Sequence, residues 1–279
     1  MPELPEVETV CRGLRARLIG RRIVSVEVRS KDVLHQPDMD ASGFAEALCG
    51  WSIAEIARRG KYILIRLTRD EKTRWLVCHL RMTGKLLVRP AGSLTGKHTH
   101  VIFALDDGQW LFYDDVRRFG GFICCDSDPC LVPPLVALGP EPLSEAFSPA
   151  SFYEHCRRRK RPVKSHLLDQ SVVAGIGNIY ADEILFRAGV RPRKSAARLT
   201  RAECAAIVSA TKTVLEEAID AGGSTIRDYV DSEMRQGSYQ FAHQVYGRAG
   251  KPCRRCGTIL KNVTVGGRSS VYCPKCQKS

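Results

Sequence analysis

Four cysteines near the end of the chain constrain its fold more than any other feature. They form Cys253-x2-Cys256 and Cys273-x2-Cys276, with sixteen residues between the pairs. Each Cys-x2-Cys step puts two thiolates on one tight turn, and two such turns close a tetrahedron around Zn²⁺. Four thiolates leave no open coordination position, so one structural zinc ion is expected and no catalytic one. From Lys251 onward the chain carries Lys251, Arg254, Arg255, Lys261, Arg268, Lys275 and Lys278 and no Asp or Glu. A metal-stapled hairpin of that charge reads as a clamp on a phosphate backbone. Arg268, in Gly266-Gly267-Arg268-Ser269, falls at the expected hairpin tip. Ribosome or protein binding is the rival use of such a ribbon.

The whole chain shares the charge. Its 279 residues carry a formal net charge of +13 and a pI near 9.3, which points to a polyanionic partner. No apolar run approaches the ~18 residues of a membrane span, which argues against a membrane protein. Glu3, Glu6 and Glu8 stand where a signal peptide would be basic and then apolar. The eight remaining cysteines (Cys11, Cys49, Cys78, Cys124, Cys125, Cys130, Cys156, Cys204) are scattered, mostly among apolar neighbours, like small core residues. A reducing, cytoplasmic location without a disulfide framework is the expectation.

The opening Met1-Pro2-Glu3-Leu4-Pro5-Glu6 sets a proline beside the initiator methionine and a carboxyl beside the proline. Proline at position 2 permits removal of Met1, which frees an imino group. A chain-terminal amine titrates near pH ~8, so a useful fraction is an unprotonated nucleophile at neutral pH. Attack on a sugar C1′ or an aldehyde gives an iminium ion, and Glu3 can move the proton that step needs. The plainer reading is that Pro2 and Pro5 hold an extended leader ahead of a helix.

Val7, Val10, Cys11, Leu14 and Leu18 recur at helical spacing, and Gly20 is placed to end that helix. Residues 22–125 then read mainly as β, interrupted by a short helix at 42–49. Strands are expected at Ile23–Val28, Tyr62–Leu67, Trp75–Leu80, Val101–Leu105 and Trp110–Tyr113, with Asp106-Asp107-Gly108 as a hairpin turn. Many short strands with turn signals between them suggest a sandwich or barrel. The proline-rich stretch 129–142 reads as a linker, and helices are expected near 149–158, 163–170, 178–188 and 200–221.

Several constellations remain. Arg157-Arg158-Arg159-Lys160-Arg161, with Lys164 beyond, suits phosphate contact in so basic a chain. Ala174-Gly175-Ile176-Gly177-Asn178 forms a glycine loop before a helix, with Asn178 as cap or phosphate ligand. A plain helix–helix turn fits it equally well. Lys61 opens a strand, where an exposed lysine needs no explanation. Met82, Arg117 and Phe119 project from loops at strand ends, where they suit wedging into a base stack.

Together these residues resemble the bacterial formamidopyrimidine-DNA glycosylase family. The resemblance runs through Met1–Thr9, Gly60-Lys61-Tyr62, His79–Gly84, Arg117-Arg118-Phe119-Gly120, Leu138–Leu143, Gly175–Tyr180 and the ribbon. It implies an α+β protein: an N-terminal two-sheet β-sandwich with a leading helix (1–130), a helix-two-turn-helix domain (131–245) and a four-cysteine zinc ribbon (246–279). It also implies a monomeric bifunctional glycosylase and AP lyase, with damaged double-stranded DNA in the cleft between domains. Such an enzyme excises 8-oxoguanine and formamidopyrimidines and nicks the strand by β,δ-elimination. By resemblance Pro2 is the nucleophile, Glu3 the proton carrier, Lys61 a cation at the damaged site and Arg268 the ribbon's arginine on the lesion phosphate. Asn178 is its partner, Met82, Arg117 and Phe119 fill the void, His98 and Arg159 contact DNA, and 222–240 closes over the flipped base. Two positions depart from the family pattern. Val116 replaces a common proline, which implies looser presentation of Arg117, and Arg159 stands where lysine also occurs. An endonuclease VIII-type enzyme for oxidised pyrimidines, or a zinc-ribbon regulator without chemistry, are the alternatives.

Overall fold

The computed structural model describes residues 1–36, 38–225, 231–232 and 234–278. They divide into two units, Met1–Val136 with Gly222–Ser238 and Ala137–Ala221 with Tyr239–Ser279. No helix among the described residues is long and apolar enough to cross a membrane.

In the first unit, α1 (Leu4–Leu18) buries Val7, Val10, Cys11, Leu14 and Leu18, the stripe its spacing requires. Two antiparallel four-stranded sheets follow. One orders β1 (Ile23–Val28), β6 (Thr99–Leu105), β7 (Gln109–Asp114) and β5 (Lys85–Pro90). The other orders β2 (Ser52–Arg59), β3 (Tyr62–Arg69), β4 (Lys72–His79) and β8 (Gly121–Cys125). Their inner faces and α1 share one core, in which Phe103 and Tyr113 of one sheet meet Phe122 of the other at ring distances of 5.6 and 4.9 Å. The short helix α2 (Ala41–Leu48) adds Phe44, 6.4 Å from Phe103 and 5.9 Å from Phe122.

Strand β2 does not announce itself in the sequence, and its register explains why. A bulge between Ile53 and Glu55 puts the buried Ile53 and Ile56 three residues apart, so the strict alternation of a strand is lost. The β6–β7 turn forms where Asp106-Asp107-Gly108 placed it, with Gly108 at φ +78.

The second unit packs α3 (Pro149–Cys156), α4 (Val163–Leu167), α5 (Asn178–Arg187) and the long α6 (Arg201–Asp220) with the ribbon hairpin, β9 (Lys261–Val265) and β10 (Arg268–Tyr272). Between α4 and α5 the chain makes two turns held by Gln170. Its side chain donates to the carbonyls of Leu168 and Ile176 and accepts from the Gly175 N–H. The Leu138–Leu143 segment locks this loop from outside, through Gly139 N–H to Gln170 O (2.8 Å) and Ala174 N–H to Pro140 O (3.0 Å). A Cβ on Gly139 would fall 2.5 Å from the Ser171 carbonyl oxygen, so only glycine fits there.

Candidate active site and nucleic-acid interface

Pro2, Glu3 and Lys61 lie in the first unit, and all three are buried. Glu3 caps α1 in a capping box with Glu6, whose carboxylate accepts the Glu3 N–H at 2.8 Å. The other Glu6 oxygen accepts the Ser224 N–H at 2.7 Å, so one buried carboxylate ties the chain start to the 222–225 loop. Gly223, at φ +79, leaves room for that carboxylate where a Cβ would press on it.

Hydrogen bonds between α1 and β2 fix which end of the helix meets which end of the hairpin. Arg15 donates to Ile56 O (2.6 Å), Cys11 to Ala57 O (3.6 Å), and Arg58 to both Glu8 (3.0 Å) and Gly60 O (3.0 Å). The contacts move back along the helix as they move forward along the strand. At about 1.5 Å per helical residue and 3.3 Å per strand residue, the series runs from the helix toward its Glu3 end as it reaches the β2–β3 loop. That loop is Gly60-Lys61, between paired Arg59 and Tyr62, with Gly60 at φ +56. Lys61 is only 6% exposed, which corrects the reading of an ordinary surface lysine at a strand start. Beside it, burial and then the charges of Arg81, Lys61 and His35 push the His79 imidazole down to about 3, so it is neutral. Its Nδ1 accepts the Arg81 N–H (2.8 Å) and fixes the turn into the next loop.

Met82, Arg117 and Phe119 come together on adjacent loops of this unit. Arg117 Nη1 lies 2.9 Å from Met82 Sδ, and its guanidinium stands 4.4 Å over the Phe119 ring. Met82 is 45% and Phe119 52% exposed, so two large apolar side chains and a cation face solvent as one cluster. The Arg117 N–H is held by Asp115 (3.1 Å) and Thr83 (3.2 Å), so its backbone is tied down with Val116 ahead of it, where looser presentation was the expectation. His98 is half-buried just before β6. Within 222–240, residues 226–230 and 233 lie outside the described residues.

In the second unit, the four cysteine sulfurs lie within 4.8 Å of one another, with Cys256–Cys273 at 3.5 Å and Cys253–Cys276 at 4.0 Å. A tetrahedron with Zn–S bonds of about 2.3 Å has edges of roughly 3.8 Å, so this donor set fits one structural zinc ion. Arg268 follows the two-residue turn Gly266-Gly267 and is exposed, directly across from Val265. The next carbonyl, Ser269 O, accepts from Asn178 Nδ2 (3.2 Å) and Lys164 Nζ (2.8 Å). Asn178 is therefore the first residue of α5 and a support of the hairpin, whereas the cap is Gly177. Lys164, fully buried, also pairs with Asp182 at 2.8 Å, and Asp182 accepts from Ser270 Oγ and Val271 N–H. Burial pushes the Asp182 carboxyl up against the pull of Lys164.

The basic run divides. Arg159 is exposed, but Arg161 is taken up by Asp169 (2.8 Å) and the His166 imidazole, so it is structural. Sequence reasoning gave no role to Glu6, Asp115 or Asp182. Their only signal was a carboxylate beside a motif residue.

A two-sheet sandwich led by a capped helix, a two-turn helix pair and a four-cysteine ribbon define a zinc-ribbon protein of the helix-two-turn-helix class. Family models agree along the chain. The formamidopyrimidine-DNA glycosylase N-terminal domain matches residues 1–122, the formamidopyrimidine-DNA glycosylase H2TH domain 138–230, and the zinc finger found in FPG and IleRS 250–278. The formamidopyrimidine-DNA glycosylase of Geobacillus kaustophilus is 44% identical over 279 residues, covering 100% of both chains. That of Heliobacterium modesticaldum is 46% identical over 282 residues, again covering 100% of both. Among solved structures, a Lactococcus lactis Fpg complex with abasic-site DNA superposes with a TM-score of 0.90 at 35% identity, covering 99% of this chain and 100% of that one. Thermus thermophilus MutM gives 0.87 at 39%, covering 99% and 98%. The chain belongs to the formamidopyrimidine-DNA glycosylase family.

Proposed function

We propose that this protein is a bifunctional DNA glycosylase and AP lyase that excises oxidised purines, 8-oxoguanine and formamidopyrimidines, from double-stranded DNA. The observation that carries the reading is a proline–glutamate start capping α1, with Glu3 and Lys61 both buried in the same unit. Once Met1 is removed, the Pro2 nitrogen attacks C1′ of an everted nucleotide and the glycosidic bond breaks. Glu3 carries the proton at the sugar, and Lys61 supplies a desolvated positive charge at the damaged base. The iminium acidifies the C2′ proton, and the two phosphates leave in turn. Zinc holds the ribbon's fold and takes no part in these steps.

Met82, Arg117 and Phe119 fill the space the base vacates. Arg268 and Arg159 engage the phosphate backbone through their charge, as the +13 balance suits, and Asn178 and His98 engage it through their hydrogen-bonding groups. The same reading divides the chain functionally into 1–130, 131–245 and 246–279, and describes a monomer working in the cytoplasm.

Excision of 8-oxoguanine compared with thymine glycol, together with borohydride trapping of the covalent adduct, tests the proposal. A purine preference with trapping at Pro2 is expected. Because a Lactococcus lactis Fpg has been solved with oxidised-pyrimidine DNA, the ratio of rates decides. A pyrimidine preference would move the chain to the endonuclease VIII type, and absence of trapping would remove the amine mechanism.

A further inference from the structure

The wedge residues sit on two different loops, yet they meet, and one buried side chain accounts for it. Asp115 is 1% exposed, at the end of β7. Its Oδ1 accepts from the Thr83 hydroxyl (2.5 Å) and the Arg117 N–H (3.1 Å), and its Oδ2 accepts from the Gly120 N–H (2.9 Å) and the Tyr113 hydroxyl (3.2 Å). One carboxylate thus fills all four of its lone-pair sites with three donors from the two loops and one from β7. Its own backbone is pinned as well, by N–H to His98 O (2.9 Å) and by its carbonyl to His100 Nε2 (2.8 Å). The Tyr113 hydroxyl sits where a Cβ on Gly84 or Gly120 would have to go, so both loops close onto this pair through glycine.

We propose that Asp115 is the positioning residue of the strand wedge, holding Met82, Arg117 and Phe119 in one register so that they enter a base stack as a single body. The proposal rests on the glycosylase reading above. Asp115 touches no reacting atom; it acts through the loops. Asparagine is not an equivalent, because its Nδ2 donates and would face one of two donor pairs. Thr83 is the second element, since its hydroxyl bridges the Met82 loop to both Asp115 and Arg117.

The experiment uses full-length, Met1-processed protein carrying Asp115→Asn, Thr83→Val, or either change in a Met82→Ala/Arg117→Ala/Phe119→Ala background. Two substrates are compared: a duplex with 8-oxoguanine, which must be opened, and a single-stranded abasic oligonucleotide, scored by borohydride trapping, which needs no wedge. Misplacement of the wedge by about 1 Å should lower duplex excision by roughly 10- to 100-fold, with trapping on the single strand changed by less than ~3-fold. In the wedge-less background neither change should cost anything further. Equal loss on both substrates, or full additive loss without the wedge, overturns the proposal by making Asp115 merely structural. If Asp115→Asn does not fold, Thr83→Val decides by the same criteria. Wild-type protein that neither excises nor traps refutes the glycosylase reading itself, a different failure.

Discussion

Replacing Lys164 with methionine tests how the exposed ribbon arginine is held. Lys164 and Asp182 are 0% and 1% exposed and 2.8 Å apart, and Lys164 also donates to Ser269 O, next to Arg268. Lys164→Met keeps the length of the side chain and removes the charge, leaving a buried carboxylate with only the Ser270 and Val271 donors. Breaking one side of a buried pair costs about 3–5 kcal/mol. In melting temperature that is on the order of 10 °C for a unit of this size. The deficit should depend on pH. Without Lys164 the Asp182 carboxyl, already raised by burial, rises further above its unfolded value. Relative to wild type, the variant therefore keeps its stability at acid pH and loses it as pH rises through the folded-state value. Adding Asp182→Asn removes the stranded charge but keeps an acceptor, and should recover much of the loss at neutral pH. It should not recover binding, because Ser269 still lacks one donor. The slope of log affinity for DNA against log salt should be shallower by about one in both variants, the mark of one lost phosphate contact. Thermal melts from pH 5 to 8 and fluorescence anisotropy across a salt series make the measurement. A loss below about 1 kcal/mol, or one that does not grow with pH, refutes the claim that this pair holds the hairpin.

Three other outcomes are expected. A chain that retains Met1 or carries an N-terminal tag should bind abasic DNA but give no borohydride-trapped adduct, and full trapping by tagged protein would exclude Pro2. Removing zinc by chelation should loosen the ribbon and weaken DNA binding, because the four clustered cysteines lose the ion that joins its two turns; unchanged affinity after verified metal loss would count against it. Burial, followed by neighbouring arginines, pushes His166 and His243 down to about 4 and His79 to about 3. Imidazole NMR signals of these three should therefore stay neutral from pH 8 to 5. Their contribution to stability is complete above the unfolded value of about 6.5 and is lost as pH falls toward the folded values, by about 1.4 kcal/mol per pH unit each. The raised carboxyls of Asp182 and Glu183 oppose that trend. Titration of any of the three histidines near 6.5 would show that its burial has been misjudged.

Much of this site is legible in the sequence because its chemistry is local. A proline–glutamate start, a Cys-x2-Cys pair and a Gly-Gly-Arg turn act over three or four residues, and spacing alone carries their meaning. Burial is not local. Lys61 reads as a strand-opening surface lysine, yet it is almost fully buried in a two-residue loop. Asp114 and Asp115 look alike in sequence, but Asp115, just past the end of β7, is buried while Asp114 is half-buried. Arg161 looks like one more phosphate contact until Asp169 and His166 claim it. Strand β2 is hidden by its bulge. In each case the missing information is which distant element lies opposite.

The residues that sequence reasoning passed over have one feature in common: each is a buried carboxylate that accepts backbone N–H groups, and for Asp115 and Asp182 the segment it holds also carries exposed functional side chains. Glu6 receives Glu3 and Ser224, Asp115 receives Arg117 and Gly120, Asp182 receives Val271, and Glu183 receives Gln244, Val245 and Tyr246. Apolar contacts would hold these segments too, but such contacts are non-directional, and a loop can slide along them at little cost. A carboxylate fork offers no such latitude. Any shift that leaves one buried N–H unpaired costs about 1–3 kcal/mol, and low local dielectric sharpens the preference for the one arrangement that pairs them all. Side chains that must face solvent, and so cannot be fixed by their own packing, are thus fixed from beneath. That is why the charge of Asp115, and not its volume, should decide whether the wedge works.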